Sequence, residues 1–424
     1  MTVALFLILL VLLVSSLHVY VALAMSTAVA LTFFTSMPLE VIPQRMFAGI
    51  DKFSLMAVPF FILAANVMRG GGLSQRILKL ANALVGHLQG GLAMAVVLGC
   101  MFFGAVSGSS PATVVAIGAL MIPALKEANY EEKFSAGLIT SSAAVAVIIP
   151  PSIGMIVYGS VTGVSVGDLF MAGLGPGILY GLIFMGYSYY YARKRNLKTR
   201  PRVTGQQLWS AFKEAGWALG IPVVIIGGIY GGFFTPTEAA AVAAVYAIFV
   251  ALFIYKDLDF KGLMKEAIET GIGTAQIMML LAAASIFAWV LTRQQVPQAL
   301  ASTMMSISQS KIVILLIMNF ILLIVGMFID PASSTMILAP LFLPLALTFN
   351  IDPVHLGIIM VVNGAIGMFT PPFGLNLFVA TGVSNLSVSR VISGAIPFMI
   401  LSLITLLVVT FFPPLSLWLP YALK

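Results

Sequence analysis

The sequence predicts an all-α polytopic membrane protein built as two inverted repeats, each of about five transmembrane helices plus one re-entrant hairpin. Three observations predict it. Of 424 residues, 60% are hydrophobic and only 8% charged, against about 25% charged in soluble domains, so lipid must be the solvent for this much apolar surface. The chain also repeats itself. Ser110-Pro111-Ala112-Thr113 is echoed by Asp330-Pro331-Ala332-Ser333, and Pro150-Pro151 by Pro371-Pro372. Pro123 answers Pro344, Thr162-Gly163-Val164-Ser165 answers Thr381-Gly382-Val383-Ser384, and Gly173 and Pro176 answer Gly394 and Pro397, all at shifts of 219 to 221 residues by subtraction. Matched Pro/Gly interruptions in an apolar two-fold repeat point to a transporter with broken helices at its centre. Third, the basic residues sort to one side of the membrane.

A helix crosses the hydrocarbon core with about 20 apolar residues. Spans are expected at 3–17, 19–35, 54–69, 131–163 and 168–192 in the first half, and at 216–232, 236–256, 273–292, 353–384 and 388–412 in the second. The first two lie close enough to form a single bent element. Two stretches, 90–125 and 311–348, are interrupted by small polar tips, Ser107-Gly108-Ser109-Ser110 and Asp330-Pro331-Ala332-Ser333-Ser334. The arm from Thr113 to Leu125 is short, about 20 Å of helix, against a core of about 30 Å. Both stretches therefore read as hairpins that enter and leave on one side. Segments 73–88, 261–271 and 296–309 mix apolar and polar residues as interfacial helices do.

Placing the basic run between Arg193 and Arg202 in the cytoplasm puts 16 of the 21 Lys and Arg residues inside, leaving Arg45, Lys52, Arg293, Lys311 and Lys424 outside. This satisfies the positive-inside rule and places both termini on the outer, periplasmic side. The net charge of +7 is thereby a membrane-orientation signal with contacts to lipid, and nucleic acid is not implied. With five spans per half, the second half starts from the opposite face. The domains are 1–192, the first repeat; 193–215, the cytoplasmic connection; and 216–424, the second repeat. The start Met1-Thr2-Val3 lacks a charged leader region, so the first apolar stretch is expected to remain.

A lone Cys100 excludes a disulfide framework within the chain, scattered His18, His87 and His355 offer no ligand cluster, and no phosphate-binding loop is present. No nucleophile–base pair suggests an enzyme, and no organic cofactor is implied. The chemistry resides in the interruptions. Lipid tolerates a helix break only where protein or a cavity covers it. Two adjacent prolines delete two donors and free carbonyls of the preceding turn. Such carbonyls and nearby hydroxyls suit a small hard cation, and half-helix N-termini suit an anion. Pairing each tip with the break of its own half gives two quasi-symmetric oxygen sites, about two in number, each assigned to Na⁺ as coupling ion. The first comprises Ser107, Gly108, Ser109, Ser110, Ile149, Pro150 and Gly154; the second comprises Gly326, Asp330, Gly367, Thr370 and Gly374. Ser110, Ser152, Ser334, Thr335 and Asn376 are the candidates for substrate contact. Asp330 also suits a helix N-cap ahead of Pro331, and Thr235-Pro236-Thr237-Glu238 suits a capping box, which makes Glu238 structural.

At these residues the chain resembles a known family. Phe103-Gly104-Ala105-Val106-Ser107-Gly108-Ser109 and Ile149-Pro150-Pro151-Ser152 are similar to motifs of the large membrane subunit of tripartite ATP-independent periplasmic (TRAP) transporters, within the ion-transporter superfamily, and Pro38 through Asp51 fits that family's early loop. The resemblance covers essentially the whole chain. It implies a scaffold and a mobile transport domain that moves as an elevator. The hairpins with 131–163 and 353–384 would be mobile; spans 19–69 and 216–292 would supply most of the scaffold. It also implies a small membrane subunit of about four helices, separate because no such segment precedes Met1. A periplasmic substrate-binding protein and residence in a bacterial or archaeal cytoplasmic (inner) membrane are implied as well. The expected function is Na⁺-driven import of a small organic anion, a carboxylate or a sulfonate. Proton coupling through Asp330 and an anion channel are the alternatives. One departure from symmetry stands out: the first tip carries no carboxylate, the second does.

Overall fold

The computed structural model describes residues 1–15, 17–70 and 72–423. Ser16, in the first expected span, and Lys424, counted among the outside charges, lie outside the described residues. Among the described residues the protein is all-helical, without strands. The helices are α1 Thr2–Val14, α2 Val19–Phe34, α3 Val41–Ile50, α4 Ala57–Gly70, α5 Leu73–Val85, α6 Gly91–Ser107, α7 Ser110–Glu127, α8 Glu132–Ser142, α9 Ile153–Thr162 and α10 Val166–Lys194. They continue with α11 Gly205–Tyr230, α12 Pro236–Phe249, α13 Phe260–Arg293, α14 Val296–Ile307, α15 Lys311–Gly326, α16 Pro331–Thr348, α17 Pro353–Gly367, α18 Leu375–Ser384, α19 Val388–Phe411 and α20 Pro414–Ala422. Eight helices, among the described residues, are long and apolar enough to cross a membrane.

The order α5 to α10 recurs as α14 to α19. The hairpin arms α7 and α16 each have 18 residues, and the half-helices α9 and α18 each have 10. The packing crosses over between halves: α7 lies on α18, and α16 on α9. Caps account for many starts. Thr235 and Glu238 form the expected capping box of α12, Thr204 and Gln207 form another on α11, and Asp259 and Asp352 cap α13 and α17. The core lies where α8, α9, α10, α17 and α19 meet. There the Tyr180 hydroxyl lies 2.8 Å from that of Ser402, and Tyr158 donates to the Pro353 carbonyl at 2.7 Å. Helices α8 and α19 touch backbone to backbone; a Cβ on Gly394 would collide with the Lys133 carbonyl.

Several expectations need correction. Segment 261–271 is not a separate interfacial helix. It is the first part of the 34-residue α13, whose Asp259 cap starts the helix and whose Gly271 and Gly273 do not end it. At about 51 Å this helix outruns the hydrocarbon, so its charged first turns project beyond it. The span expected at 216–232 starts at Gly205, and the stretch 38–51 read as a loop contains helix α3. The first hairpin's second arm is 18 residues, about 27 Å, because α7 starts at its Ser109 cap with Pro111 in the first turn and runs through Pro123 to Glu127. Arm length therefore does not set the hairpin's depth. The two spans expected near the start are separate helices, α1 and α2, that pack on each other.

The ion pairs join residues that the charge pattern had placed on one side: Arg69 with Glu266 and Glu269, Lys79 with Glu214, Lys126 with Glu132, and Arg195 with Glu131. Exposed pairs of this kind contribute about 0–1 kcal/mol each. Their value here is topological, since all gather at the same ends of helices from both halves. At the opposite ends Lys52 donates to the Ser160 carbonyl, Thr237 to that of Phe53, and Tyr421 to Asp352.

Candidate functional site

The first tip is a two-residue link between α6 and α7. Gly108 sits at φ 57°, where a side chain is disfavoured, and a Cβ there would lie 2.6 Å from the Pro151 carbonyl oxygen. Glycine thus lets the tip backbone touch the break of its own half. Ser109 is extended and caps α7, its Oγ accepting from the Ala112 N–H at 3.5 Å. Ser107 Oγ lies 3.3 Å from Thr113 Oγ1, which donates to the Ser109 carbonyl at 2.8 Å. Thr113 is therefore a fourth oxygen of the tip. It was visible only as a member of the repeated motif, although its i+4 spacing from Ser109 puts it over the cap.

The first break follows α8. The chain tightens into a 3₁₀ turn over Ala143–Val147, then leaves helical geometry until Ser152. The Ser152 hydroxyl donates to the freed Val147 carbonyl at 2.7 Å. Residues 141–152 are buried throughout, Ile149, Pro150 and Ser152 among them. Gly154 is the second residue of α9, and a Cβ on it would meet Ser152 Oγ at 3.7 Å and Val361 at 3.8 Å, ordinary contact distances.

At the second tip Asp330 acts as the N-cap of α16. Its Oδ1 accepts from the Ala332 and Ser333 N–H groups at 3.0 Å each, and Ser333 Oγ donates to its Oδ2. Ser334 Oγ donates to the Pro331 carbonyl at 3.1 Å, and Thr335 is buried one residue further on. A Cβ on Gly367 would collide with the Gly326 carbonyl oxygen, so these two glycines bring the hairpin arm against the break. Thr370 Oγ1 donates to the Ile366 carbonyl at 2.7 Å, and the Thr370 carbonyl accepts from Gly374 N at 3.1 Å. A Cβ on Gly374 would be 2.8 Å from the Met368 and Thr370 carbonyls, so glycine is needed for this tight return. The Pro150–Pro151 and Pro371–Pro372 peptides are both cis.

The first tip touches the break of its own half through Gly108 and Pro151, and in the second half the end of α15 meets the end of α17 through Gly326 and Gly367. The substrate candidates are placed differently. Asn376 Nδ2 donates to Ser110 Oγ at 2.7 Å and to the Thr140 carbonyl at 3.1 Å. Both Asn376 and Ser110 are fully buried, as is Ser152, so in this conformation they tie the two halves together and do not line a cavity. A cavity of about 210 Å³ lies beside the first tip, between Ser107 and Ser109 on the hairpin, Ile153 on α9, Asn66 and Arg69 on α4, and Ile277 on α13. A larger cavity of about 430 Å³, lined by Phe53, Asp168 and Thr237 among others, contains no tip residue.

An all-helical, multi-pass membrane chain whose interrupted helices meet two hairpin tips is a transport protein of the broken-helix class. Residues 6–415 match the family model for the DctM component of the tripartite ATP-independent periplasmic transporter, and the chain belongs to that family of large permeases. It is 44% identical over 399 residues to the C4-dicarboxylate TRAP transporter large permease protein DctM of Pseudomonas aeruginosa, with 94% of this chain and 93% of the relative covered. It is also 44% identical over 384 residues to the isethionate TRAP transporter permease protein DctMQ of Oleidesulfovibrio alaskensis, covering 90% of this chain and 60% of that protein. In fold it is similar to the YdaH transporter of Alcanivorax borkumensis, with a TM-score of 0.65 at 14% identity over 92% of this chain and 90% of that one. The relatives are named as permeases, which agrees with a carrier and not an enzyme.

Proposed function

We propose that this chain is the large permease of a Na⁺-driven importer of a small organic anion, a carboxylate or a sulfonate. The observation that carries the reading is a glycine contact beside each break, Gly108 of the first tip on Pro151 and, in the second half, Gly326 at the end of α15 on Gly367 at the end of α17. Each contact gathers carbonyl and hydroxyl oxygens from two interrupted elements, the donor set a small hard cation prefers. A Na⁺ held by Ser107, Gly108, Ser109, Ser110, Ile149, Pro150 and Gly154, and another by Gly326, Asp330, Gly367, Thr370 and Gly374, would order the tips. The anion would then dock between them, its charge offset by the ions and by the N-termini of α7 and α16. Asn376 and Ser110 would reach it only after the domains rearrange, which fits an elevator in which the hairpins, α8, α9, α17 and α18 move against a scaffold of α2–α4 and α11–α13.

The names of the relatives support the substrate class: one is a C4-dicarboxylate permease and another an isethionate permease. The family description and the joint DctMQ designation support two partners, a small membrane subunit of about four helices and a periplasmic binding protein that delivers the anion. The setting is a bacterial or archaeal inner membrane with both termini outside. Proton coupling through Asp330 is less favoured, because the carboxylate is already engaged as acceptor in three hydrogen bonds. The test is uptake of a radiolabelled acid into vesicles holding the complete transporter, with the acid chosen by a thermal-shift screen of the neighbouring binding protein. An inward Na⁺ gradient is expected to drive accumulation; uptake under a pH gradient in Na⁺-free buffer would overturn the reading.

A further inference from the structure

The second half contains a buried polar network that its repeat partner lacks. Asn363 on α17 donates through Nδ2 to Asn319 Oδ1 on α15 at 2.8 Å and to the Ile359 carbonyl at 2.8 Å. Asn319 donates in turn to Thr410 Oγ1 on α19 at 2.9 Å. The Thr410 carbonyl meets His355 Nε2 at 3.2 Å, and the backbone N–H of His355 donates to the α17 cap, Asp352 Oδ1, at 3.2 Å. Asn319 is 4% exposed and Asn363 0%, so these bonds form in a dry environment. The two bonds of Asn363 Nδ2 fix the amide's orientation, since a flip would set Oδ1 against two acceptor oxygens. In the first half, shifts of 220 and 221 residues lead from these amides to Gly99 and Ser142. Gly99 makes no side-chain bond; its neighbour is Leu78, 2.7 Å from where a Cβ would stand. The first hairpin instead meets its broken element by close backbone contact, a Cβ on Gly104 standing 2.6 Å from Ala146 Cα, where the second adds an amide pair.

The position of this pair gives it a consequence. A Cβ on Gly326 would lie 3.6 Å from the Asn363 carbonyl oxygen and 3.4 Å from Gly367 Cα. Asn363 thus stands one helical turn before Gly367, in the layer where the hairpin arm is pressed onto the broken helix. Sliding α15 along α17 would move the Gly326 carbonyl out of the second tip, and apolar side chains alone permit such sliding. A buried amide pair does not, because a small shift leaves donor and acceptor unpaired. We infer that Asn319 and Asn363 are positioning residues for the second cation site, fixing the register of α15 on α17 and with it the Gly326 carbonyl. This rests on the Na⁺-coupled reading above and adds an asymmetry to it: an amide pair fixes the register at the second site, and the first site has no such pair.

The test uses the complete transporter in vesicles, reading the half-saturating Na⁺ concentration for uptake and, on the purified large subunit, the rise of Tm with Na⁺. Asn319→Ala and Asn363→Ala are each expected to raise half-saturating Na⁺ about tenfold, with the KM for the anion at saturating Na⁺ unchanged. The double variant should fall well short of the product of the two single effects, because the amide–amide contact is lost in all three, Asn319→Ala dropping the Thr410 bond besides. Thr410→Val, which keeps the amide pair but removes its outer anchor, should give about a threefold rise and serves if the alanine variants fail to accumulate. A drop in Tm with half-saturating Na⁺ within twofold of wild type would overturn the inference and leave the Na⁺-coupled reading intact. Wild-type uptake indifferent to Na⁺ would overturn both.

Discussion

At the first tip the break is buried from residue 141 to 152, the link is two residues long, and Asn376 from the other half seals Ser110 beneath it. At the second tip the link is longer, Asp330 takes over capping, and the break comes to the surface. Phe373 is 59% exposed and meets the equally exposed ring of Phe328 at 5.6 Å. The two tips share prolines, a nearby glycine contact and a capped arm, yet the break behind the first is buried and the break behind the second reaches the surface. The difference teaches that the repeated motif specifies a joint, whereas access to that joint is set by what packs over it.

The largest effect is expected at the glycine contacts. Gly367→Ala should cost about 3 kcal/mol or more through overpacking against the Gly326 carbonyl, read as a fall in Tm of the purified protein and loss of uptake. Gly108→Ala should be costly too, since it adds a contact to Pro151 and a disfavoured positive φ. Gly163→Ala, at φ 76° but with nothing within 4 Å, should lower Tm much less. Equal losses at Gly108 and Gly163 would mean that backbone conformation alone, and not the tip–break contact, constrains the first joint.

A middle effect is expected where the halves are tied. Asn376→Ala strips partners from Ser110 Oγ and the Thr140 carbonyl in a fully buried site, which costs about 1–3 kcal/mol. If the same variant leaves Tm unchanged, the seal over the first tip is not a structural one. The smallest effects separate the two caps. Asp330→Ala should cost about 1–2 kcal/mol and Ser109→Ala about 0.5 kcal/mol, since Asp330 accepts two backbone N–H groups at 3.0 Å and Ser109 one at 3.5 Å. Asp330→Asn keeps an acceptor and removes the charge. Retained Na⁺ affinity in Asp330→Asn, with affinity lost in Asp330→Ala, would assign Asp330 to capping and geometry and not to charge.

Much of this was legible in the chain. The interruptions at Pro150-Pro151 and Pro371-Pro372 had to be breaks, because proline withholds a donor and lipid supplies none. Asp330-Pro331 and Thr235-Pro236 announce helix starts by local chemistry, and both caps are present. Charge sorting anticipated which helix ends would gather, and Arg69 does meet Glu266 across nearly two hundred residues. The errors were errors of extent. Segment 261–271 looked interfacial because polar residues interrupt its apolar pattern, yet nothing there stops a helix, so α13 runs through. The role of Thr113 is not legible in the sequence, because its oxygen matters only once the α7 turn places it over Ser109.

Sequence alone determined the solvent, the number of breaks and their chemistry, for these depend on composition and on residues that act on their own backbone. Tertiary structure decided which surfaces meet. That Gly326 presses on Gly367, that Asn376 closes over Ser110, and that Asn319 finds Asn363 are contacts between segments 41 to 266 residues apart. No local rule sets such distances. They follow from how helices of given length and small-residue placement fill one volume together.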